Sequence, residues 1–253
     1  MNNNNNNNNM SKNNNMSNQP ILITKETTRR LIKDVRDILK EPLDSDGIYY
    51  KHDDSNILKG YAFICGPTDS LYFGGNYLFE FNFPYDYPHQ PPKVEFKTND
   101  GETRFHPNMY RSGKICLSIL NTWRGEQWTG CQSIRTILLT IISIMDNTPL
   151  LHEPGFTETH QDVKRYNEII YFKNFDHCIN DIILHKLNEE LNQTYSLFKE
   201  EILTEFKKNK KNILNILEKK KDEKTTIIKT GIYNMKIQLN WKNTYKDFIK
   251  IKV

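Results

Sequence analysis

Four prolines between residues 84 and 92 constrain the fold of this chain more than any other feature of its sequence. Proline lacks a backbone N–H and fixes φ, so residues 83–92 suit neither a helix nor a central strand. Just before them, aromatic side chains occupy every second position from Tyr77 to Phe83, which is the period of a strand. The proline-rich segment is therefore predicted to be a loop, either ordered and packed by its aromatic side chains or exposed.

Short strands are predicted on both sides of this loop. Residues 61–65 form one strand, which Gly66-Pro67 ends, and the turn signal Gly74-Gly75 precedes the strand over residues 77–83. Residues 93–97 form another. Because strands so close in sequence pair most simply with their neighbours, we expect an antiparallel meander.

Helices are predicted before and after the strands. A first helix covers about residues 25–40, and Pro42 stops it. A second, amphipathic helix covers residues 133–147, with Thr129 and Gln132 as a candidate capping box. Together with the meander these elements predict an α+β fold. The apolar positions of the first helix are Leu31, Ile32, Val35, Ile38 and Leu39.

The two ends of the chain differ from this middle region. Residues 2–9 are all asparagine, and such a tract buries too little apolar surface to fold, so we expect residues 1–20 to be a disordered tail. A core over residues 21–175 follows. Residues 176–253 are predicted to form a mainly helical extension, although its last part, from about residue 225, indicates no secondary structure clearly.

Charge and cysteine content exclude several classes of protein. Lys and Arg number 35 against 31 Asp and Glu, so the clustered basic excess of nucleic-acid-binding proteins is not expected. The sequence shows neither a signal-peptide pattern nor the apolar run of ~20 residues that a membrane helix needs. No C-x-x-C pair occurs among the four cysteines, so we expect no metal site and no cofactor. Free thiols indicate a reducing compartment, the cytoplasm or the nucleus.

The residues that indicate chemistry lie between His106 and Cys116. His106-Pro107-Asn108 comes first, and Cys116 follows Asn108 by eight residues. Separately, a cysteine between apolar residues is usually a small buried side chain, and a histidine or asparagine near proline usually shapes a turn. Taken with the proline-rich loop before them and Trp128 after them, their order resembles the ubiquitin-conjugating enzymes over about residues 24–180. The resemblance implies the UBC fold, with an active-site loop between the meander and the central helix.

Further residues are similar to the Z-type branch of that family. They are the run from Cys116 to Trp123 and the His-Glu-Pro-Gly-Phe of residues 152–156. Common members have a tryptophan eight residues after the cysteine, whereas Trp128 lies twelve after Cys116. The Z-type branch has the same enlarged loop and a helical C-terminal extension. Its members can accept more than one modifier, so the resemblance implies ubiquitin or a ubiquitin-like protein without choosing between them.

The resemblance also implies roles for individual residues. Cys116 receives the modifier from an activating enzyme as a thioester and passes it to a lysine amine or a ligase, for which its thiol needs to be accessible and partly ionised. Asn108 either donates to the oxyanion or orders the loop, and His106 holds that loop. The family's acidic residue at the mouth of the site aligns with His152, beside Glu153. Either is a candidate gate, and simple packing of His152 is an equal alternative.

Two partner surfaces are implied as well. The first helix docks the activating enzyme in this family, which suggests that role for its cations, although a solvated helix face is the ordinary explanation. Recognition by RING ligases is open, because Ser118, His89 and the segment Thr129-Gly130-Cys131 depart from the common pattern. The cations of the first helix are Lys25, Arg29, Arg30, Lys33 and Arg36.

Two other functions remain to be distinguished. A catalytically silent UBC-fold binding module would accept no modifier on Cys116. A cysteine hydrolase would pair Cys116 with a histidine base, for which His106 and the orienting Asn108 are at hand in sequence. Such a hydrolase would cleave a simple ester or peptide without ATP and an activating enzyme.

Overall fold

A four-stranded antiparallel sheet forms the centre of the computed structural model, which describes residues 23–252. The asparagine-rich tail predicted for residues 1–20 lies outside the described residues. The strands are neighbours in chain order, which confirms the predicted meander. The first of them was not predicted. The strands are β1 (Ile48–His52), β2 (Lys59–Cys65), β3 (Asn76–Asn82) and β4 (Lys93–Phe96).

Helices precede and follow the sheet, as the predicted α+β class requires. Within residues 23–252 none of them is long and apolar enough to cross a membrane. A π-helical segment, Asn174–Asp181, continues the third helix, so the predicted limit of the core at residue 175 falls inside this helical stretch. The α-helices are α1 (Lys25–Lys40), α2 (Ile134–Ser143), α3 (Gln161–Lys173), α4 (Glu189–Leu197), α5 (Lys199–Lys220) and α6 (Trp241–Phe248).

The part of the chain after residue 225 contains a hairpin in addition to helix. Strands β5 (Thr226–Lys229) and β6 (Lys236–Leu239) pair antiparallel, and the turn between them includes the short 3-10 segment Ile232–Asn234. Ile237 and Leu239 of β6 are buried, whereas Lys236 and Gln238 are exposed. The extension is therefore mainly helical, as expected, with one hairpin that the sequence did not indicate.

One face of the sheet carries the aromatic core. Tyr77, Phe79 and Phe81 of β3 are fully buried, and the period of two puts them on the same side. Phe96 of β4 lies 5.6 Å from Phe79 between ring centroids, and Phe105 lies 5.8 Å from Phe96. Because Phe105 directly precedes His106, this packing fixes where the motif loop, residues 106–116, leaves the core.

The other face of the sheet is covered by the C-terminal extension. Phe63 of β2 is fully buried and stacks on Tyr49 of β1, with ring centroids 5.4 Å apart. Phe198, between α4 and α5, lies 6.2 Å from Phe63 and is also fully buried. The Tyr49 hydroxyl donates to Glu205 of α5 at 2.6 Å. The extension therefore closes an apolar sheet face that would otherwise be open to water.

The proline-rich segment is an ordered loop, the first of the two alternatives. Tyr87 is fully buried, and its ring lies 5.2 Å from Phe83 and 5.8 Å from Trp128. Trp128 donates its indole N–H to the Pro88 carbonyl at 2.7 Å. The Tyr87 hydroxyl also donates to Asp34 of α1. This loop thus joins α1 to the residues that follow the cysteine motif.

Two details of the predicted helices are corrected. In α1, Ile32 and Leu39 are two of the apolar positions that predicted the helix, but they are 47% and 70% exposed, because they lie beside the buried stripe and not on it. In α2 the capping box is formed by Ser133 and Thr136 and not by Thr129 and Gln132. The helix therefore begins at Ile134.

Candidate functional site

The site is built on a two-point link between Asn108 and Cys116. The backbone N–H of Cys116 donates to the Asn108 carbonyl at 2.9 Å. In return, the Asn108 side-chain amide donates to the Cys116 carbonyl at 2.5 Å. Asn108 thus satisfies both backbone polar groups of Cys116. It holds the cysteine against the turn formed by His106-Pro107-Asn108. These two hydrogen bonds order the loop around Cys116, and the part of Asn108 in the reaction stays a prediction.

His106 stabilises the same turn from inside. It is fully buried, and its Nδ1 accepts the backbone N–H of Asn108 at 3.0 Å. Burial is the main cause that lowers the pKa of His106 well below its ordinary value, and the neighbouring His152 and Arg104 lower this pKa further. A neutral imidazole with Nδ1 as acceptor suits a residue that holds the loop.

Arg104 stabilises the same turn by hydrogen bonds to its backbone carbonyl groups. Its guanidinium donates to the His106 carbonyl at 3.2 Å and to the Pro107 carbonyl at 2.5 Å. The same guanidinium lies over the Tyr110 ring, 3.2 Å from the centroid. Arg104 could not be predicted from the sequence, because an arginine near a turn gives no local signal of the carbonyl groups that it binds.

The four cysteines differ in their surroundings. Cys116 is 2% exposed, which is less than the accessible thiol that thioester chemistry led us to expect. Cys131 is exposed, whereas Cys65 and Cys178 are buried. Burial raises the pKa of Cys65 to about 12 and that of Cys178 well above its ordinary value. Among the four, Cys116 alone lies in the motif loop.

The enlarged loop after Cys116 is internally ordered. The Thr122 hydroxyl accepts the backbone N–H of Leu117 at 2.9 Å and lies 3.1 Å from the Ile115 carbonyl, to which it donates. The side chain of Asn121 accepts the backbone N–H of Trp128 at 2.8 Å. Trp123 at the tip is 37% exposed. A cavity of about 840 Å³ lies between this tip and Pro154, which belongs to the opposite loop, the loop that carries His152 and Glu153.

His152 is held within that opposite loop. Its Nε2 lies 2.9 Å from an Asp146 carboxylate oxygen, and its ring lies 5.0 Å from the His106 ring. Asp146 in turn accepts the backbone N–H of Thr148 at 2.7 Å. These contacts orient the imidazole within the loop, although the residue is exposed to solvent. Whether His152 acts as a gate or only packs stays a prediction.

Glu153 has a partner that the sequence analysis missed. Its Oε2 accepts the hydroxyl of Tyr233, which lies in the turn between β5 and β6. The two residues are 80 positions apart in the chain, so no local pattern could have linked them. The extension therefore reaches the loop where the candidate gate residues lie.

The cationic surface of α1 is narrower than predicted. Lys25, Arg29, Lys33 and Arg36 are exposed on one face. Arg30 lies off this face, because it pairs with Asp34 at 2.8 Å and donates to the Gly130 and Gln132 carbonyls. Arg30 consequently ties α1 to the start of α2 and is removed from the predicted docking stripe.

Within residues 23–252, no group of three or more histidine, cysteine, aspartate or glutamate side chains is arranged to hold a metal ion.

Comparison with known families and curated proteins gives consistent matches. The family model described as Ubiquitin-conjugating enzyme matches residues 30–178. The curated Ubiquitin-conjugating enzyme E2 Z of Xenopus tropicalis is 44% identical over 157 residues, covering 61% of this chain and 47% of that protein. The protein of the same name from Homo sapiens is 44% identical over 144 residues, covering 56% of this chain and 40% of its own. The chain thus spans half or less of the length of these relatives.

Among solved structures, the human Ubiquitin-conjugating enzyme E2 G1 matches with a TM-score of 0.43 and 29% identity. The match covers 49% of this chain and 98% of that structure. The family model includes the motif loop, Cys116 and the loop of His152 and Glu153.

Proposed function

Because this chain belongs to the ubiquitin-conjugating enzyme family, we propose that it accepts ubiquitin or a ubiquitin-like protein as a thioester on Cys116 and transfers it to a lysine amine or to a ligase. The family match covers 149 of 253 residues, counted from 30 to 178 inclusive. The choice of Cys116 rests on its position in the motif loop and on its link to Asn108.

The observation that carries the proposal is the two-point link between Asn108 and Cys116. It fixes the cysteine backbone beside a side-chain amide, which is the group that can stabilise negative charge on a reacting carbonyl. The amide nitrogen has two hydrogens, and only one is needed for the Cys116 carbonyl. The other is free, in this proposal, to donate to the oxyanion when the thioester is attacked.

The chemistry proceeds in two acyl transfers. In the first, the Cys116 thiolate attacks the thioester carbonyl of the modifier on the activating enzyme, a new C–S bond forms, and the activating enzyme's thiolate leaves. In the second, a neutral lysine amine attacks the Cys116 thioester, an amide bond forms, and Cys116 leaves as a thiolate. The proton that the amine loses passes to solvent or to a nearby carboxylate, for which Glu153 is the candidate.

The partners follow from the same proposal. The exposed cations Lys25, Arg29 and Lys33 of α1 are the proposed contact for the activating enzyme, with Arg36 beside them. The ligase is left open, because His89 and Cys131 occupy positions where the common pattern differs. We place the protein in the cytoplasm or nucleus, where free thiols such as exposed Cys131 persist.

The hydrolase alternative is weakened by the geometry of His106. A catalytic base must reach both the thiol and solvent, whereas His106 is fully buried and its Nδ1 is occupied by the Asn108 backbone. The silent binding module is weakened by the presence of Cys116 in the motif loop.

Incubation with an activating enzyme, ATP and a panel of modifiers tests the proposal. We expect an adduct whose mass equals one modifier, which depends on ATP and on the activating enzyme and which a thiol reductant removes. Non-covalent binding without an adduct would favour the silent module. Cleavage of a simple ester without ATP would favour the hydrolase.

A further inference from the structure

The turn between β5 and β6 places one tyrosine against the active-site loops. Tyr233 has a left-handed backbone, with φ of 57°, and so does the next residue, Asn234, with φ of 48°. This conformation is uncommon for a residue other than glycine or asparagine, and at Tyr233 the surrounding contacts hold it. The phenol hydroxyl of Tyr233 donates to Glu153, the carboxylate of the candidate gate loop.

Contacts from three directions hold the turn in this place. Arg111, between the motif turn and Cys116, donates to the Tyr233 carbonyl at 2.6 Å. The buried carboxylate of Asp162, at the start of α3, accepts the backbone N–H of Ile232 at 2.9 Å. The Arg104 guanidinium lies 4.8 Å from the Tyr233 ring centroid. Since Arg104 also binds the His106 and Pro107 carbonyls, the tyrosine ring abuts one active-site loop while its hydroxyl binds the other.

We propose that Tyr233 is a positioning residue, which fixes the Glu153 carboxylate toward the amine that discharges Cys116. This inference rests on the proposed function. A carboxylate has two oxygens, and Tyr233 occupies Oε2, so Oε1 is left to accept a hydrogen bond from an incoming lysine. The hydrogen bond to Tyr233 also restricts rotation of the Glu153 side chain, which would otherwise sample several rotamers.

The phenol remains a donor at the pH of the reaction. Burial first, and then the Glu153 carboxylate, raise the pKa of Tyr233 above its ordinary range. The hydroxyl consequently keeps its proton throughout neutral and mildly alkaline conditions. In this arrangement the C-terminal extension supplies part of the reaction site as well as the cover of the sheet.

The role of Tyr233 is tested by comparing how fast the Cys116 thioester is discharged to an amine and to a thiol. This comparison separates a positioning role from a general loss of structure. The full-length protein is charged with the modifier, excess ATP is removed, and discharge to free lysine and to a small thiol is followed in parallel for wild type and Tyr233→Phe. A thiol needs no carboxylate to receive its proton at pH 8, whereas an ammonium must be oriented and deprotonated. We expect the lysine-to-thiol rate ratio to fall about tenfold, the order expected when one hydrogen bond to a charged group is lost.

Tyr49→Phe is the matched control. It removes another tyrosine hydroxyl that donates to a carboxylate across the core–extension interface, but at Glu205, on the far face of the sheet. We expect its lysine-to-thiol ratio to equal that of wild type. A ratio that falls equally in both variants would show general loosening of the extension and would overturn the proposal.

Glu153→Gln completes a double-mutant cycle. If Tyr233 acts through Glu153, then adding Tyr233→Phe to Glu153→Gln changes the ratio no further. An unchanged ratio in the Tyr233→Phe single variant would overturn the positioning role while leaving the thioester on Cys116 intact. Failure of wild type to charge at all would instead overturn the proposed function, so the two failures are distinguishable.

Discussion

At the scale of single residues, Asn108 is the point where the turn, the cysteine and the proposed chemistry meet. Its backbone carbonyl and its side-chain amide both bind Cys116. The two interpretations taken from sequence, ordering of the loop and donation to an oxyanion, are compatible because one amide nitrogen carries two hydrogens. The structure shows the hydrogen bond that orders the loop, and donation to an oxyanion is the role proposed for the transition state.

Replacing Asn108 by alanine removes both proposed roles. We expect discharge of the thioester to lysine to slow by roughly 10²–10³-fold, the typical loss of one oxyanion donor. Asn99→Ala is the matched control, since Asn99 likewise donates its amide to a backbone carbonyl, that of Phe96 at 3.1 Å, away from the cysteine. Single-turnover discharge measures both. Equal rates for the two variants would remove Asn108 from the chemistry.

His106 gives a prediction about pH and stability. Its pKa in the folded protein is well below the unfolded value of ~6.5, so the unfolded chain binds one more proton at intermediate pH. The contribution of His106 to the free energy of unfolding is therefore fully present above pH ~6.5. It falls as the pH drops below this value, by up to ~1.4 kcal/mol per pH unit for this one group. Chemical denaturation from pH 7.5 to 5 measures the slope.

His106→Asn is the informative variant for that slope. An asparagine side chain can accept the Asn108 backbone N–H in place of Nδ1 but does not titrate in this range. We expect lower stability overall and a shallower loss between pH 6.5 and 5. A slope identical to wild type would assign the acid sensitivity to other titrating groups.

The residues at the mouth of the site show where sequence reasoning ends. The motif predicted roles for Cys116, Asn108 and His106, because their spacing is local, and these roles stay predictions. The choice between His152 and Glu153 could not be made, since it depends on Asp146 and on Tyr233. Such partners come from packing between distant segments, and no periodicity in the sequence records them.

At the scale of elements, α1 combines a buried stripe with an exposed cationic face. Arg29→Glu with Lys33→Glu reverses two of the exposed cations without touching buried residues. If this face meets the activating enzyme, the rate of charging should fall about tenfold at low salt, and the difference should shrink as salt screens the charges. Initial charging rates at several ionic strengths provide the measurement.

Lys207→Glu with Lys211→Glu is the control for net charge. Both lysines are exposed on α5, and their reversal changes the total charge by the same amount. Equal slowing by the two pairs would indicate a general charge effect and not docking on α1.

The extension helices give a stability prediction of their own. Phe198 is fully buried against Phe63, whereas its neighbour Leu197 is 41% exposed. We expect Phe198→Ala to lower the free energy of unfolding by roughly 3–5 kcal/mol, as for other buried phenylalanines. Leu197→Ala should change it by less than ~0.5 kcal/mol. Urea denaturation followed by circular dichroism measures both, and similar small values would mean that the extension does not cover the sheet.

The strands that the sequence missed have physical explanations. In β1, Tyr49 stacks on Phe63 toward the extension while Tyr50 packs on Phe81 toward the core, so both faces are covered. A strand that is covered on both faces lacks the alternation of apolar and polar residues by which strands are recognised in a sequence. Strands β5 and β6 have four residues each, too short for a clear period, although the alternation in Lys236–Leu239 is a weak signal.

At the scale of the whole molecule, the core and the extension form one functional unit in this account. The order of helix, meander, loop and helix could be predicted because each element carries its own period or its own breaker residues. The role of the extension could not, since it depends on contacts with Phe63 on one side and Glu153 on the other. Trimming the extension should therefore affect both stability and discharge.

The most direct test of the account is the bond between the modifier and Cys116. After incubation with activating enzyme, ATP and modifier, we expect wild type and Cys131→Ser to carry an adduct that a thiol reductant removes, because Cys131 lies outside the motif loop. Cys116→Ser should carry an adduct that resists the reductant, since an oxyester replaces the thioester, and Cys116→Ala should carry none. An adduct that persists in Cys116→Ala, or that disappears in Cys131→Ser, would contradict the assignment of Cys116.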